Sequence, residues 1–230
     1  MRGRRIALFG GTFDPIHAGH LAVARAAQKR FRLDKVFFIP SSRPPHKHFG
    51  ELMPFAHRYA MVSLACAEHA QFVPSLAEAE TRNAVRRVFY TVDTVRRFRR
   101  EFNGEGDRLY YLLGADSFLD IANWDRYKTL LTLCDFVVAN RPGFQIKMLY
   151  RSLAPELLAA PREGDGLNDT SQKPVSIALR HTTVHLLDAV SSDVSATDVR
   201  RRLKNGKSIR GLVPRGVEDY IKKQNLYHRG

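Results

Sequence analysis

The sequence predicts an α/β protein: a doubly wound parallel sheet with helices on both faces and a small C-terminal helical segment. Three observations carry that expectation. Short β-branched and aromatic runs alternate with helical patterns along the chain, as strands joined by crossover helices do. Right-handed crossovers then wind such a sheet both ways from its centre. Finally, the first apolar run ends in Gly10-Gly11 and passes straight into a helical pattern, the arrangement of Rossmann-like folds at the edge where ligands collect.

Taken in order, Ile6 to Phe9 is the first strand and Leu21 to Phe31, rich in Ala and Leu, the first helix. Val36 to Ile39 follows as a strand, then a helix over His57 to His69 and a weaker strand at Phe72-Val73. Thr91 to Phe102 is helical, with Val92, Val95, Phe98 and Phe102 as its apolar stripe. Leu109 to Leu113 is a strand, Ser117 to Leu133 a helix broken near Asn123, and Phe136 to Ala139 and Val184 to Leu187 two further strands. Residues 161–174 are polar and rich in chain breakers, so they read as a mobile surface loop inside one domain spanning 1–230. Helices over Ala196 to Leu203 and Pro214 to Asn225 form the C-terminal segment of 195–230. Val217, Tyr220 and Ile221 would dock the second of them on the sheet layer.

A chain of 230 residues can bury a sizeable core. Only four apolar residues follow the basic start Met1-Arg2-Gly3-Arg4-Arg5, too few for a signal peptide, and no run approaches a membrane span. Cys66 and Cys134 lack any motif spacing and read as reduced core residues, so a cytoplasmic location is expected. The net charge of +14 invites a nucleic-acid partner. Yet the densest run, Arg96-Arg97-Phe98-Arg99-Arg100, falls on the solvated side of a helix, and the charge serves a polyanionic small molecule such as ATP equally well. Nucleic acid is therefore not the expected partner, and a homo-oligomer stays open.

The chemistry concentrates in Gly10-Gly11-Thr12-Phe13-Asp14-Pro15-Ile16-His17-Ala18-Gly19-His20. Glycines at a strand-to-helix turn let main-chain amides approach a ligand, and a helix N-terminus with its free N–H groups suits phosphate. With Pro15 at an early helical position, His17 and His20 share one face. The Lys of the G-x-x-x-x-G-K-[ST] loop is missing, and two imidazoles stand in its place. Far downstream, Ser195 reads as an N-cap echoed by Asp198, with Arg200 one turn into the helix. Hydroxyls, amides and a guanidinium there describe a second phosphate cradle. Asp116, after Gly114-Ala115, sits where a carboxylate can accept ribose hydroxyls or cap a helix. Trp124, the only tryptophan, stands at the helix break where it could stack on an aromatic ring. Pro44-Pro45-His46-Lys47 is a stiff basic loop, and His46 with His48 lacks the further ligands of a zinc site.

These motifs resemble the bacterial nicotinate mononucleotide adenylyltransferases, within the nucleotidyltransferase superfamily that carries an HxGH signature. The likeness covers residues 10–20, Pro44 to Lys47, Tyr90-Thr91-Val92-Asp93-Thr94, Gly114-Ala115-Asp116, Trp124, Arg141-Pro142-Gly143, Ser195 to Arg200, and Val213-Pro214 through Leu226-Tyr227. The resemblance implies transfer of AMP from ATP to nicotinate mononucleotide, giving nicotinate adenine dinucleotide and pyrophosphate in NAD biosynthesis, with Mg²⁺ as cofactor. It makes His17, His20 and Arg200 the catalytic residues. It gives ATP Gly10, Gly11, Thr12, Phe13, Lys47, Gly114, Asp116, Ser195 and Thr197. The mononucleotide falls to Tyr90, Thr91, Trp124, Asp125 and Arg141, and no residue is a metal ligand. Trp124 would stack on the pyridine ring, with amides near Thr91 and after Trp124 meeting its carboxylate.

Three features depart from the family pattern. Ala196 removes one hydroxyl from the phosphate cradle, Asp125 would repel an acidic ring substituent, and residues 151–182 form a longer stretch. Because the mononucleotide phosphate is already an anion, the implied reaction needs no protein nucleophile, only in-line positioning and donors for developing charge. Two rivals remain to be distinguished. One is a sibling enzyme for nicotinamide mononucleotide or phosphopantetheine, and the other a non-catalytic nucleic-acid module using the Arg96 to Arg100 face.

Overall fold

In the computed structural model, residues 2–42, 52–79, 88–140, 146–159, 176–187 and 194–227 are described. The 161–174 loop, Pro44 to Lys47 with His48, and Arg141-Pro142-Gly143 lie outside the described residues.

The strands are β1 (Arg5–Gly11), β2 (Lys35–Pro40), β3 (Phe72–Pro74), β4 (Arg108–Gly114), β5 (Asp135–Ala139), β6 (Ser176–Ala178) and β7 (Thr183–Leu187). They form one seven-stranded sheet in the order β3-β2-β1-β4-β5-β7-β6. All neighbours are parallel except β6, which pairs antiparallel to β7 at the edge. The sheet is thus doubly wound as expected, with an antiparallel edge strand that the sequence reading lacked. The chain grows outward through β2 and β3, then returns to build β4, β5 and β7 on the other side of β1. The switch point lies between β1 and β4, and ligands of such sheets bind beyond the carboxyl ends of the strands there.

Period-two alternation sends neighbouring residues of one strand into two cores. Ala7 and Phe9 of β1, with Tyr110 and Leu112 of β4, pack on one face against Leu21, Ala24 and Ala27 of α1 (Ala18–Phe31) and Met61, Val62 and Ala65 of α2 (Phe55–Cys66). Ile6 and Leu8, with Leu109, Tyr111 and Leu113, pack on the other. There they meet α3 (Thr91–Glu101), α4 (Ala115–Leu119), α5 (Tyr127–Leu130) and α6 (Lys147–Arg151) through Val92, Val95, Phe98, Phe118, Leu130 and Leu149. The C-terminal helices α7 (Ala196–Lys204) and α8 (Arg215–Lys223) join the first face through Val199, Leu203, Val217 and Ile221.

Some boundaries differ from expectation. Pro15 is not helical: it follows Asp14 through a cis peptide, and α1 starts at Ala18 with His17 as its N-cap. The predicted Ser117 to Leu133 helix, expected to break near Asn123, breaks twice, into α4, a 3-10 turn at Ile121–Asn123 and α5, with Arg126 in a left-handed conformation (φ 50°) at the second break. Cys66 and Cys134 are buried free thiols, and burial pushes the Cys66 thiol up to about 12. Among the described residues no helix is long and apolar enough to cross a membrane.

Candidate active site

The site is built on the turn that leaves β1. The glycines there lie against the protein's own rings. A Cβ on Gly10 would lie 2.2 Å from the Tyr111 hydroxyl, and one on Gly11 3.0 Å from the Phe13 ring. Phe13 is buried and takes a left-handed conformation (φ 48°), which is uncommon for a non-glycine residue. The turn brings His17 and His20 together with ring centroids 3.7 Å apart.

The helix end that follows is less open to an anion than its position suggests. The His17 amide donates to His20 Nδ1 at 3.2 Å. The Ala18 amide donates to the Leu212 carbonyl at 2.8 Å, and the His20 amide to the His17 carbonyl at 3.0 Å. These three amides are therefore spent on the protein's own acceptors. Since Nδ1 of His20 accepts a hydrogen bond, its neutral ring carries the proton on Nε2. Nδ1 of His17 is buried with no hydrogen-bond partner, an exception that calls for a ligand or water. Both imidazoles are held neutral. Burial lowers His17 to about 4; burial, then the neighbouring His17, hold His20 well below the usual histidine range. Phe9 and Phe13 meet His20 edge-on, with centroids 6.0 Å and 5.0 Å away, and supply much of its apolar wall.

Arg200 reaches this corner from the far end of the chain. Its Nη1 donates to the Asp14 main-chain carbonyl at 2.6 Å, and its Nη2 to Thr197 Oγ1 at 3.4 Å. Ser195 caps α7 by accepting the Asp198 amide at 3.1 Å. The reciprocal half of a capping box is not made, because the Asp198 carboxylate is claimed by Arg201 and Arg202. Ala196 and Thr197 begin the helix beside it.

Three residues to which the sequence alone gives no role meet here. Asp14 is buried, its carboxylate accepting the Tyr227 hydroxyl at 2.5 Å and the Met53 amide at 3.4 Å. Tyr227 thereby ties the chain's distal end to the same turn. Arg58 of α2 is buried, and its guanidinium donates to the Thr12 carbonyl at 2.8 Å. One signal was available for Arg58: with Met61, Val62 and Ala65 it lies on the i, i+3, i+4, i+7 stripe that faces the core.

Around β4 the second half of the expected site gathers. Gly114 ends β4, and Asp116 lies exposed in the first turn of α4 with no partner among the described residues. The buried Tyr111 links several expected residues: its hydroxyl bonds the Thr91 side chain, and its ring meets Trp124 edge-on at 6.2 Å. Tyr90 is half-exposed at the N-cap of α3. Asp125 does not stand alone: Arg126 Nε lies 2.6 Å from its carboxylate and Nη2 2.7 Å from Asp93, with the guanidinium 5.9 Å from the Tyr90 ring centre. Beneath α3, Glu78 is buried and accepts the Thr94 hydroxyl at 3.0 Å, and burial raises its carboxyl to about 7. The α3 arginines Arg97, Arg99 and Arg100 are exposed, on the solvated side as expected. Lys47 and Arg141 lie outside the described residues.

A doubly wound sheet whose first turn pairs two histidines beside an arginine from the helix after the last strand defines a cytidylyltransferase-like protein, and that family's model matches residues 8–202. In Moorella thermoacetica a "Probable nicotinate-nucleotide adenylyltransferase" is 42% identical over 98% of this chain and 93% of its own length. A protein of the same description in Thermoanaerobacter sp. is 35% identical over 99% and 96%. The chain therefore belongs to the nicotinate-nucleotide adenylyltransferase family. The fold also matches the solved Plasmodium falciparum nicotinic acid mononucleotide adenylyltransferase complexed with NaAD, at TM-score 0.67 and 18% identity over 97% of each chain.

Proposed function

We propose that this chain is a nicotinate-nucleotide adenylyltransferase that moves AMP from ATP to nicotinate mononucleotide, giving nicotinate adenine dinucleotide and pyrophosphate in NAD biosynthesis. The single observation that carries the reading is the Arg200–Asp14 contact, which gathers a guanidinium and two neutral imidazoles at one turn. Relatives at 42% and 35% identity carry the same activity in their names.

An oxygen of the mononucleotide phosphate attacks the α-phosphorus of ATP, forming one P–O bond as the bond to pyrophosphate breaks. No proton need be removed first, so the protein's task is to position and to receive charge. His20 offers Nε2–H to a phosphate oxygen, with its tautomer fixed by the His17 amide on Nδ1. His17 lines the same pocket with an uncommitted ring nitrogen. Arg200, Ser195 and Thr197 receive the departing pyrophosphate, while Gly10 to Phe13 shape the turn. Asp116, its carboxylate exposed beside Gly114, meets the ribose. Trp124, Tyr90, Thr91 and Asp125 frame the pyridine end. Lys47 and Arg141 keep their assigned roles toward ATP and the mononucleotide.

Among the described residues no group of three or more His, Cys, Asp or Glu side chains could hold a metal, and Asp14 is already bound by Tyr227. Mg²⁺ would enter with ATP and would supply charge neutralisation at the phosphates, with no protein ligand assigned to it. We read 1–230 as one domain, supported by the core that α7 and α8 share with α1 and α2.

The test is ATP-dependent pyrophosphate release measured with nicotinate or nicotinamide mononucleotide, with and without Mg²⁺. Faster turnover of the nicotinate form supports the reading. Release with neither substrate would overturn it.

A further inference from the structure

We propose that Arg58 is a positioning residue for the paired histidines: a buried guanidinium that fixes the Thr12–Asp14 turn and, through it, His20. The inference builds on the function proposed above.

Arg58 is 1% exposed, so it cannot touch a substrate from solvent. Its Nη1 donates to the Thr12 and Ser41 carbonyls, both at 2.8 Å, its Nε to the Met53 carbonyl at 2.9 Å, and its Nη2 to the Ser42 carbonyl at 3.4 Å. One side chain thus joins three segments: the turn after β1, the residues after β2, and the approach to α2. Among the described residues no carboxylate lies within ion-pair distance, and Asp14 acts on it only at longer range. Burial pulls its pKa below the ordinary arginine value, yet a guanidinium stays protonated.

A buried charge without a paired carboxylate is a poor way to fill space, since apolar residues of similar volume usually serve stability as well or better. What Arg offers is its planar fork, whose donors diverge in fixed directions, as neither Lys nor Met can provide. Here those donors fall on main-chain oxygens, so the fork sets backbone position. The Thr12 carbonyl is held by Arg58 and the Asp14 carbonyl by Arg200. Between them stands Phe13 at φ 48°, its ring edge-on to His20 with centroids 5.0 Å apart. A guanidinium from each side therefore grips the residue whose ring walls the imidazole. A shift of the turn moves that wall and the donor it orients.

The experiment compares Arg58→Lys and Arg58→Gln with the parent protein in three readouts. In steady-state kinetics, Arg58→Lys should lower kcat by about 10- to 100-fold, the scale of a misplacement near 1 Å, with the mononucleotide KM within about twofold. Thermal unfolding should remain cooperative, and activity is expressed per folded molecule. In ¹⁵N-histidine NMR, parent His20 should show a neutral Nε2–H ring well below pH 6.5, and both variants should lose that fixed tautomer. An unchanged kcat per folded molecule, or an unchanged His20 spectrum, overturns the proposal. The NMR readout does not depend on catalysis, so it decides the role of Arg58 even if the parent turns over neither mononucleotide.

Discussion

Arg200 and Asp14 stand 186 positions apart in sequence, and the Arg200 guanidinium donates to the Asp14 carbonyl at 2.6 Å. The contact fastens α7, the helix after the last strand, to the turn that leaves β1. Replacing Arg200 with Met should lower kcat by roughly 10²–10³, the loss typical of one preorganised donor. Thermal unfolding should shift far less than activity falls. A kcat within threefold of the parent would remove Arg200 from the mechanism.

His20→Ala should lower kcat on the same scale, roughly 10²–10³. A further outcome follows from the neutral state of the pair. Burial holds His17 at about 4, and a triphosphate beside it would favour its charged form. ATP binding near pH 6 should therefore take up protons, seen by calorimetry in buffers of different ionisation enthalpy. Binding heats that do not vary with the buffer would exclude this coupling.

Asp125 and Arg126 predict a substrate effect. Arg126, shared between Asp125 and Asp93, offsets part of the negative charge that Asp125 would otherwise show an acidic pyridine. Both partners are substantially exposed, so the effect on stability is small. Arg126→Gln should reduce kcat/KM for nicotinate mononucleotide several-fold relative to nicotinamide mononucleotide, and Asp125→Asn added to it should restore much of the ratio. Equal loss on both substrates would show that the pair does not tune selectivity.

Glu78 predicts a pH dependence of stability. Its folded pKa of about 7 lies above the ordinary glutamate value of 4.5, because burial disfavours the carboxylate. Its contribution is fully present below about pH 4.5, where it is protonated in both states. Between 4.5 and 7 the unfolded chain ionises first, so stability falls, and above 7 the loss is complete at about 3 kcal/mol. Glu78→Gln keeps an acceptor for the Thr94 hydroxyl and should flatten this slope in urea unfolding at pH 5 and pH 8. Parallel curves for parent and variant would count against it.

The sheet was legible because its strands announce themselves locally: Ile6 to Phe9 and Leu109 to Leu113 are continuous apolar runs bounded by turns. β6 was missed because three residues, Ser176–Ala178, are too few to show a period, and only pairing with β7 makes them a strand. At the site, His17, His20 and Arg200 were readable as chemistry, and the structure sets the Arg200 guanidinium on the Asp14 carbonyl of the turn that leads to the histidines. The sequence assigns no role to Arg58, Asp14 and Tyr227. Their contacts join residues 46 and 213 positions apart, and the apolar stripe that holds Arg58 marks it as core-facing without naming its main-chain partners. Pro15 misled for a related reason. Its fixed φ suits a helix start, but His20 closes the amide end of α1 at His17 instead.

The Tyr227–Asp14 bond carries a consequence for biosynthesis. Translation delivers Tyr227 213 residues after Asp14, so the histidine turn leaves the ribosome long before its hydrogen-bond partner does. The Tyr227–Asp14 bond therefore cannot form co-translationally with the turn and belongs to the last stage of folding.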